Sequence, residues 1–377
     1  MSTLLDFRYL YPYIKHDLEK KMVFLGGPRQ VGKTTFAQSL FPHSAKTNYF
    51  NWDDPLSRDR ILKQDWNSKQ RLIVLDEIHK YKHWRNFVKG VYDTQKQNHG
   101  FLITGSARLD HYRRGGDSLL GRYYYYRMHP LSLPELKFSK GALPALLKFG
   151  GFPEPFFSQQ ERELRRWHLQ RLDRLVRDDI RDLERVRDLS LMERLAEVMP
   201  NRVGSPLSVK GLSQDLQIDF KTCERWITIL EMLYYSYRVS PYGAPKLKAV
   251  KKERKLYLWD WSQIENPGAR FENLVASHLL KYCHFNEDQE GHKMELRFLR
   301  DIEKREVDFV ILKAGKPIFA VECKTGEKNL SPHIPYFKAR TSIPIFYQVH
   351  LGQSEKKPMP GVHILPFEEF CRLEKLP

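Results

Sequence analysis

The residues with the most chemical potential fall into two clusters far apart in the chain. In the first, Gly27-Pro28-Arg29-Gln30-Val31-Gly32-Lys33-Thr34, with Thr35 following, has the spacing G-x-x-x-x-G-K-[ST]. Glycines at these points let successive backbone N–H groups wrap an anion, and a helix N-terminus adds a favourable field. Lys33 would reach the β- and γ-phosphates of a nucleoside triphosphate, and the Thr34 hydroxyl would ligate Mg2+. Asp76-Glu77 ends the apolar run Arg71–Leu75, which sets two carboxylates at a strand's C-terminal edge. Asp76 would hold Mg2+ directly or through water, and Glu77 would polarise an attacking water. Ile103-Thr104-Gly105-Ser106 places small hydroxyls at another strand end. Ser106 is the preferred γ-phosphate sensor of these, with a plain turn-forming serine as the competing reading. Arg122, after Leu119-Leu120-Gly121, would sit on a domain edge as an arginine finger for a neighbouring subunit. Arg113 and Arg114 compete for that role, and a surface arginine in a pair is the alternative.

In the second cluster, Asp308 lies in the run Val307–Leu312, with Val307 and Phe309 facing the other way. A turn at Ala314-Gly315-Lys316 leads to Ala320-Val321-Glu322-Cys323-Lys324, whose i,i+2 spacing projects Glu322 and Lys324 from one strand face. Two carboxylates, Asp308 and Glu322, suit Mg2+, and Lys324 could orient or help deprotonate a water: the requirements of phosphodiester cleavage. Ordinary alternating charge on a strand is the competing reading.

The elements that must position these groups are legible from pattern. Met22–Leu25, Arg71–Leu75, Phe101–Thr104 and Tyr123–Met128 are short runs apolar on both faces, as strands of a helix-covered parallel sheet require. Gly150-Gly151-Phe152-Pro153 marks a boundary. From Glu161 to Arg194 the chain is densely charged with nearly balanced signs, and Leu164, Trp167, Leu172, Leu175 and Ile180 recur at helical spacing. Ser208–Leu216 reads as a short helix, and Asp219 as the cap of a second one carrying Cys223, Trp226, Ile229, Leu230 and Leu233. Tyr234–Val239 and Leu256–Trp259 are strand-like. A helix-turn-helix followed by such a hairpin is a winged-helix arrangement. Beyond residue 263, a helix around Phe271–Tyr282 precedes runs at 295–299, 307–312, 317–323 and 343–349, a further α/β domain.

Charge indicates a class of partner. The chain has 377 residues, with 63 Lys and Arg against 46 Asp and Glu, a net charge of +17. Lys246, Lys248, Lys251, Lys252, Arg254 and Lys255, opposed by Glu253 alone, make the hairpin locally basic. These six would lie on DNA phosphates, with Lys221 and Arg225 of the second helix near a groove. A packing role for the helix pair carries similar weight. With 41% hydrophobic residues the chain is not a mostly disordered one. No apolar run approaches the ~18 residues of a membrane span. Met1–Leu40 carries charges throughout and shows no secretory core, so an exported precursor is not expected. Cys223, Cys283, Cys323 and Cys371 lie tens of residues apart, giving neither a zinc module nor a disulfide framework and favouring the cytoplasm. His79 and His83 have i,i+4 spacing, but the interleaved Lys80 and Lys82 make a solvated helix face the preferred reading.

Taken together, Gly27–Thr35, Asp76-Glu77-Ile78-His79, Gly105-Ser106, Leu120-Gly121-Arg122, Leu131-Ser132 and Gly150-Gly151-Phe152-Pro153 make the chain resemble prokaryotic AAA+ ATPases with a C-terminal domain of unknown function. These sit near the STAND-like and archaeal nuclease-linked groups. The resemblance implies ATP and Mg2+, an α/β AAA+ core over 1–155, a helical lid over 156–200, a winged helix over 201–262 and a restriction-endonuclease-like domain over 263–377. In that nuclease fold, Asp308, Glu322 and Lys324 match the D…E-x-K arrangement, and Glu272 matches the additional helix carboxylate. The function expected is ATP hydrolysis with binding of duplex or branched DNA and Mg2+-dependent cleavage, in a homo-oligomer with a trans arginine finger. The alternative is a nucleotide-dependent DNA-binding regulator or signalling ATPase whose nuclease fold does not cut.

Overall fold

The computed structural model describes residues 8–41, 48–105, 119–175, 188–243 and 253–377. The chain divides into two compact units, Met1–Leu131 and Ser132–Pro377. The expected core boundary at residue 155 therefore does not coincide with the unit boundary: residues 132–155 pack within the second unit.

The first unit is a five-stranded sheet of β1 (Met22–Gly26), β2 (Tyr49–Asn51), β3 (Leu72–Asp76), β4 (Gly100–Thr104) and β5 (Tyr123–Arg127), in the order β2-β3-β4-β1-β5. Every pairing is parallel. The central strands are buried on both faces, which is why they read as continuous apolar runs. One face packs Met22, Phe24, Ile73, Leu75 and Phe101 against Trp84, Val88 and Val91 of the helix Trp84–Gln95. The three-residue strand β2 is not evident from sequence, because a run that short carries no usable alternation.

In the second unit the charged stretch begins as the helix Glu161–Arg174, and the helix Leu189–Val198 comes after residues outside the described set. The expected helix pair forms as Val209–Asp215 and Phe220–Met232, with Ser208 and Asp219 as caps; the Thr222 N–H donates to Asp219 Oδ1 at 3.0 Å. The strands are β6 (Ser236–Pro241), β7 (Lys255–Leu258), β8 (Met294–Arg300), β9 (Glu306–Lys313), β10 (Lys316–Lys324), β11 (Phe346–His350), β12 (Lys356–Met359) and β13 (Val362–Pro366). They form one eight-stranded mixed sheet in the order β12-β13-β11-β10-β9-β8-β6-β7. The helix Pro267–Glu290, twice the length the sequence pattern suggests, packs against β8 and β10.

The expected separation between hairpin and C-terminal sheet is absent. β6 pairs in parallel with β8 through Ser240 and Pro241, so the β6–β7 hairpin extends the same sheet. β7 is further fixed by isolated bridges from Val203 to Leu256 and from Pro206 to Lys255.

Candidate functional sites

In the first unit, Gly27–Gly32 joins β1 to the helix Lys33–Ser39. Gly27 has φ 142°, and a Cβ there would run into the Met128 carbonyl, so only glycine closes the loop beside β5. Gly32, at φ 98°, caps the helix in the left-handed region. Lys33 is buried, and its Nζ donates to the carbonyls of Gly27 at 2.9 Å and Pro28 at 2.7 Å. The ammonium is thus folded over the loop that would cradle phosphates.

β3 brings Asp76 beside this loop. Thr34 Oγ1 donates to Asp76 Oδ2 at 2.9 Å, Tyr49 Oη donates to the same oxygen at 2.6 Å, and Thr104 Oγ1 donates to Oδ1 at 2.5 Å. Burial, then the Asp76 charge, hold the Tyr49 phenol far above its ordinary range, so it stays a donor. Three neutral donors orient the carboxylate and leave its charge uncancelled. Thr34 and Asp76 therefore fit a Mg2+ ion.

Glu77 follows in the left-handed region, φ 58°, with its N–H donating to the Thr104 carbonyl at 2.9 Å. Burial raises its carboxyl pKa, opposed by Lys80 and Lys33 and reinforced by Asp76. Its Oε2 lies 3.4 Å from Lys80 Nζ and 3.6 Å from His79 Nε2. His79 is buried in a 3-10 turn, while His83 precedes the next helix, so the two histidines do not share the solvated helix face expected of them. Tyr49 and Thr104 join the site beyond the expected residues. Thr104 is visible in the sequence as a strand-end hydroxyl, whereas nothing local marks Tyr49. Ser106, Arg113 and Arg114 lie outside the described residues. Arg122 makes a two-pronged pair with Asp93 of its own unit, 2.8 Å from Nε to Oδ1 and 3.1 Å from Nη2 to Oδ2.

In the second unit, Glu272, Asp308, Glu322 and Lys324 converge, although they come from one helix and two strands. The Asp308 charge acts on both Glu272 and Glu322. Lys324 Nζ donates to Glu322 Oε1 at 2.6 Å, and the Cys323 N–H donates to Asp308 Oδ2 at 2.8 Å. Glu322 is 5% exposed, and its Oε2 has no hydrogen-bond partner among the described residues. Glu322 and Lys324 line a pocket of about 650 Å³ with Glu327, Lys328 and His333, and Glu272 lines a separate one of about 390 Å³ with Asn201 and Ser205. Burial and the Asp308 charge push the Glu272 and Glu322 carboxyls upward.

Lys255 corrects the sequence reading. Sequence groups it with the basic hairpin on DNA phosphates, but it is 0% exposed. Its Nζ lies 2.5 Å from Glu306 Oε1, 3.1 Å from Glu272 Oε1 and 3.5 Å from Asp308 Oδ1. Tyr257 Oη also donates to Glu272 Oε1, at 2.7 Å. Glu306 is a further member that shares the strand parity of Asp308. An ammonium thus stands beside Glu272 and Asp308, two of the carboxylates expected to serve a metal ion, and beside Glu306. Among the described residues, no group of three or more His, Cys, Asp or Glu is arranged to hold a metal. The constellation as built does not fit Mg2+.

Of the other expected DNA contacts, Lys221 and Arg225 are exposed on the helix Phe220–Met232, and Arg254 pairs with Glu224 at 2.9 Å. Lys246, Lys248, Lys251 and Lys252 lie outside the described residues. All four cysteines are free. Among the described residues no helix is long and apolar enough to cross a membrane.

Comparison with known proteins agrees with the geometry of the first unit. Residues 19–137 match the AAA domain family. This stretch is similar to AAA-type P-loop domains, which suggests an ATPase. Residues 141–264 and 267–370 match two domains of unknown function, DUF8612 and DUF4143. An uncharacterized protein of Methanocaldococcus jannaschii is 21% identical over 84% of this chain and 78% of its own length. Uncharacterized proteins of Mycobacterium bovis and Mycobacterium tuberculosis are each 23% identical over 78% of this chain and 68% of their own length.

Proposed function

We propose that the protein is a nucleotide-dependent DNA-binding regulator that hydrolyses ATP in its first unit. The observation that carries this is the Thr34–Asp76 hydrogen bond of 2.9 Å at the mouth of a glycine loop. Bound ATP would place its β- and γ-phosphates on the backbone of Gly27–Gly32, with Lys33 turning from the Gly27 and Pro28 carbonyls to the phosphates. Thr34 and Asp76 would hold Mg2+, which neutralises charge developing on the transferred phosphoryl group. Glu77, at the end of β3, would orient the attacking water, with its raised pKa favouring proton uptake. Arg122 would act in trans within a homo-oligomer after release from Asp93.

DNA binding rests on the helix pair 209–232 and the basic segment beyond it, read as a winged helix beside a restriction-endonuclease-like sheet, in a cytoplasmic setting. Exposed Lys210, Lys221 and Arg225 on that pair supply phosphate contacts. A second reading, Mg2+-dependent DNA cleavage, rests on the proximity of Glu272, Asp308, Glu322 and Lys324, and it requires Lys255 to leave the carboxylates.

One set of assays separates the two. ATP turnover and DNA retention are measured for the full chain, Lys33→Ala and Lys221→Ala/Arg225→Ala. Cleavage of supercoiled, linear, single-stranded and branched DNA with Mg2+ or Mn2+ is followed beside Lys324→Ala. The regulator reading expects turnover that Lys33→Ala abolishes, retention that the double variant weakens, and intact DNA. Lys324-dependent cutting would establish the second reading, and turnover unaffected by Lys33→Ala would remove the ATP-site assignment.

A further inference from the structure

The structure assigns Lys255 Nζ as the resident cation of the carboxylate site in the second unit: the chain's own ammonium takes the place of a divalent metal. The assignment is independent of the ATP site. It rests on three observations. First, the ammonium is enclosed, with no exposure, and meets carboxylates from two separate elements: Glu272 of the helix Pro267–Glu290, and Glu306 and Asp308 of β9. Carboxylates gathered from distant parts of a chain repel one another unless a cation lies among them. Here that cation is Nζ, and a divalent ion would have to share its space and its charge. Second, Lys255 is held there from both flanks of its backbone. It pairs with Val239 across β6–β7 and bridges to Pro206 on the other side. Its side chain passes over the Phe298 ring, with Nζ 5.6 Å from the centroid. Third, the remaining donors serve the same geometry. Tyr257 supplies a second hydrogen bond to Glu272, and the Cys323 N–H supplies one to Asp308. These donors occupy lone pairs of Glu272 and Asp308 that a metal would use.

The consequence is a latent metal site, closed by one side chain. Removal of the ammonium leaves Glu272, Glu306 and Asp308 as a part-buried set of hard oxygen ligands, with Arg300 on Glu306 Oε2 as their remaining cation at 2.6 Å, a composition that Mg2+ and Mn2+ favour. The natural chain would take no divalent ion there and would not cut a phosphodiester bond through it.

The test uses the full chain without nucleotide and Mn2+ alone as probe, with binding read by electron paramagnetic resonance and thermal melting read alongside. The natural protein should show no Mn2+ binding that Asp308→Asn removes, and its melting should be indifferent to Mn2+. Lys255→Met should bind Mn2+ at least tenfold more tightly than the natural chain, should gain melting temperature on Mn2+ addition, and should lose both on adding Asp308→Asn. Lys255→Gln, which keeps a hydrogen-bond donor for Glu306, serves the same comparison if Lys255→Met does not fold. Asp308-dependent Mn2+ binding by the natural protein would overturn the assignment, whatever the variants do. So would a folded Lys255 variant with no gain in Mn2+ binding. The ATPase reading would survive either result, because turnover is measured separately with Lys33→Ala.

Discussion

The two units place carboxylates at the edge or on the face of a sheet and then treat them in opposite ways. In the first, Asp76 accepts hydrogen bonds from Thr34, Tyr49 and Thr104, all neutral hydroxyls. Such donors fix the carboxylate in place without cancelling its charge, so its field remains available to an incoming cation. In the second, Glu272, Glu306 and Asp308 surround an ammonium, and part of their field is already offset within the fold. The same residue types can thus make a receptive site or a closed one, depending on whether the partners are dipoles or charges.

The largest effect expected from breaking this contrast is at Lys255. Lys255→Met leaves the part-buried Glu272 and Asp308 without their ammonium, with only Arg300 still on Glu306, and breaking a buried pair in this way costs up to ~3–5 kcal/mol. Urea unfolding near pH 8 should show this loss, and a change under ~1 kcal/mol would contradict the counter-ion role. Asp76→Asn removes the charge, keeps one acceptor oxygen and puts an NH2 in place of the other, from which a rotated hydroxyl can accept. ATP turnover should fall ~10²–10³-fold, the range for losing one charge-stabilising group, with the melting temperature nearly unchanged. An equal fall in stability would mean that Asp76 is structural.

A smaller effect sharpens the electrostatics. Burial and Asp308 outweigh Lys324 and raise the Glu322 carboxyl above the ordinary carboxylate range. The native state then holds this proton over pH values where the unfolded chain has released it. Stability from this group is fully present below the unfolded value and is lost as pH rises through the raised one. Glu322→Gln cannot ionise, so its stability should decline less between about pH 5 and pH 8, by ~1 kcal/mol or more. A parallel decline in both proteins would place the titration elsewhere. Tyr49→Phe removes one neutral donor from Asp76 and should cost ~1 kcal/mol in stability with turnover reduced less than ~tenfold. Smallest of all, Arg254→Ala breaks a half-exposed pair with Glu224, for a change under ~0.5 kcal/mol by the same unfolding assay. Arg254 and Lys255 are adjacent and alike in charge, so the gap between their effects measures burial.

What is legible in the sequence follows the same division. The nucleotide loop, the strand ending in Asp76-Glu77 and the paired helix caps Ser208 and Asp219 depend on contiguous residues, and local pattern is enough to locate them. The i,i+2 parity of Glu322 and Lys324 is likewise fixed by the geometry of a strand. That parity also puts Glu306 on the face of Asp308, a signal the sequence carries without marking its use. The long helix extends beyond its apparent span, because its last third, Cys283–Glu290, carries many polar residues and a weak apolar stripe.

A phosphate-binding loop with its acidic strand, and the set of side chains that share a strand face, are consequences of backbone geometry over a few residues, so the amino-acid order suffices to specify them. What each charge meets is a property of the folded chain. A run of lysines and arginines reads the same whether it faces water or lies beneath a sheet, and Lys255 joins carboxylates from positions 272, 306 and 308 only because β6 pairs with β8. Tyr49 reaches Asp76 only because β2 lies beside β3, and Arg122 finds Asp93 across the same unit. Electrostatic partnership depends on distance in space, and distance in space between remote residues is set by how the strands are ordered.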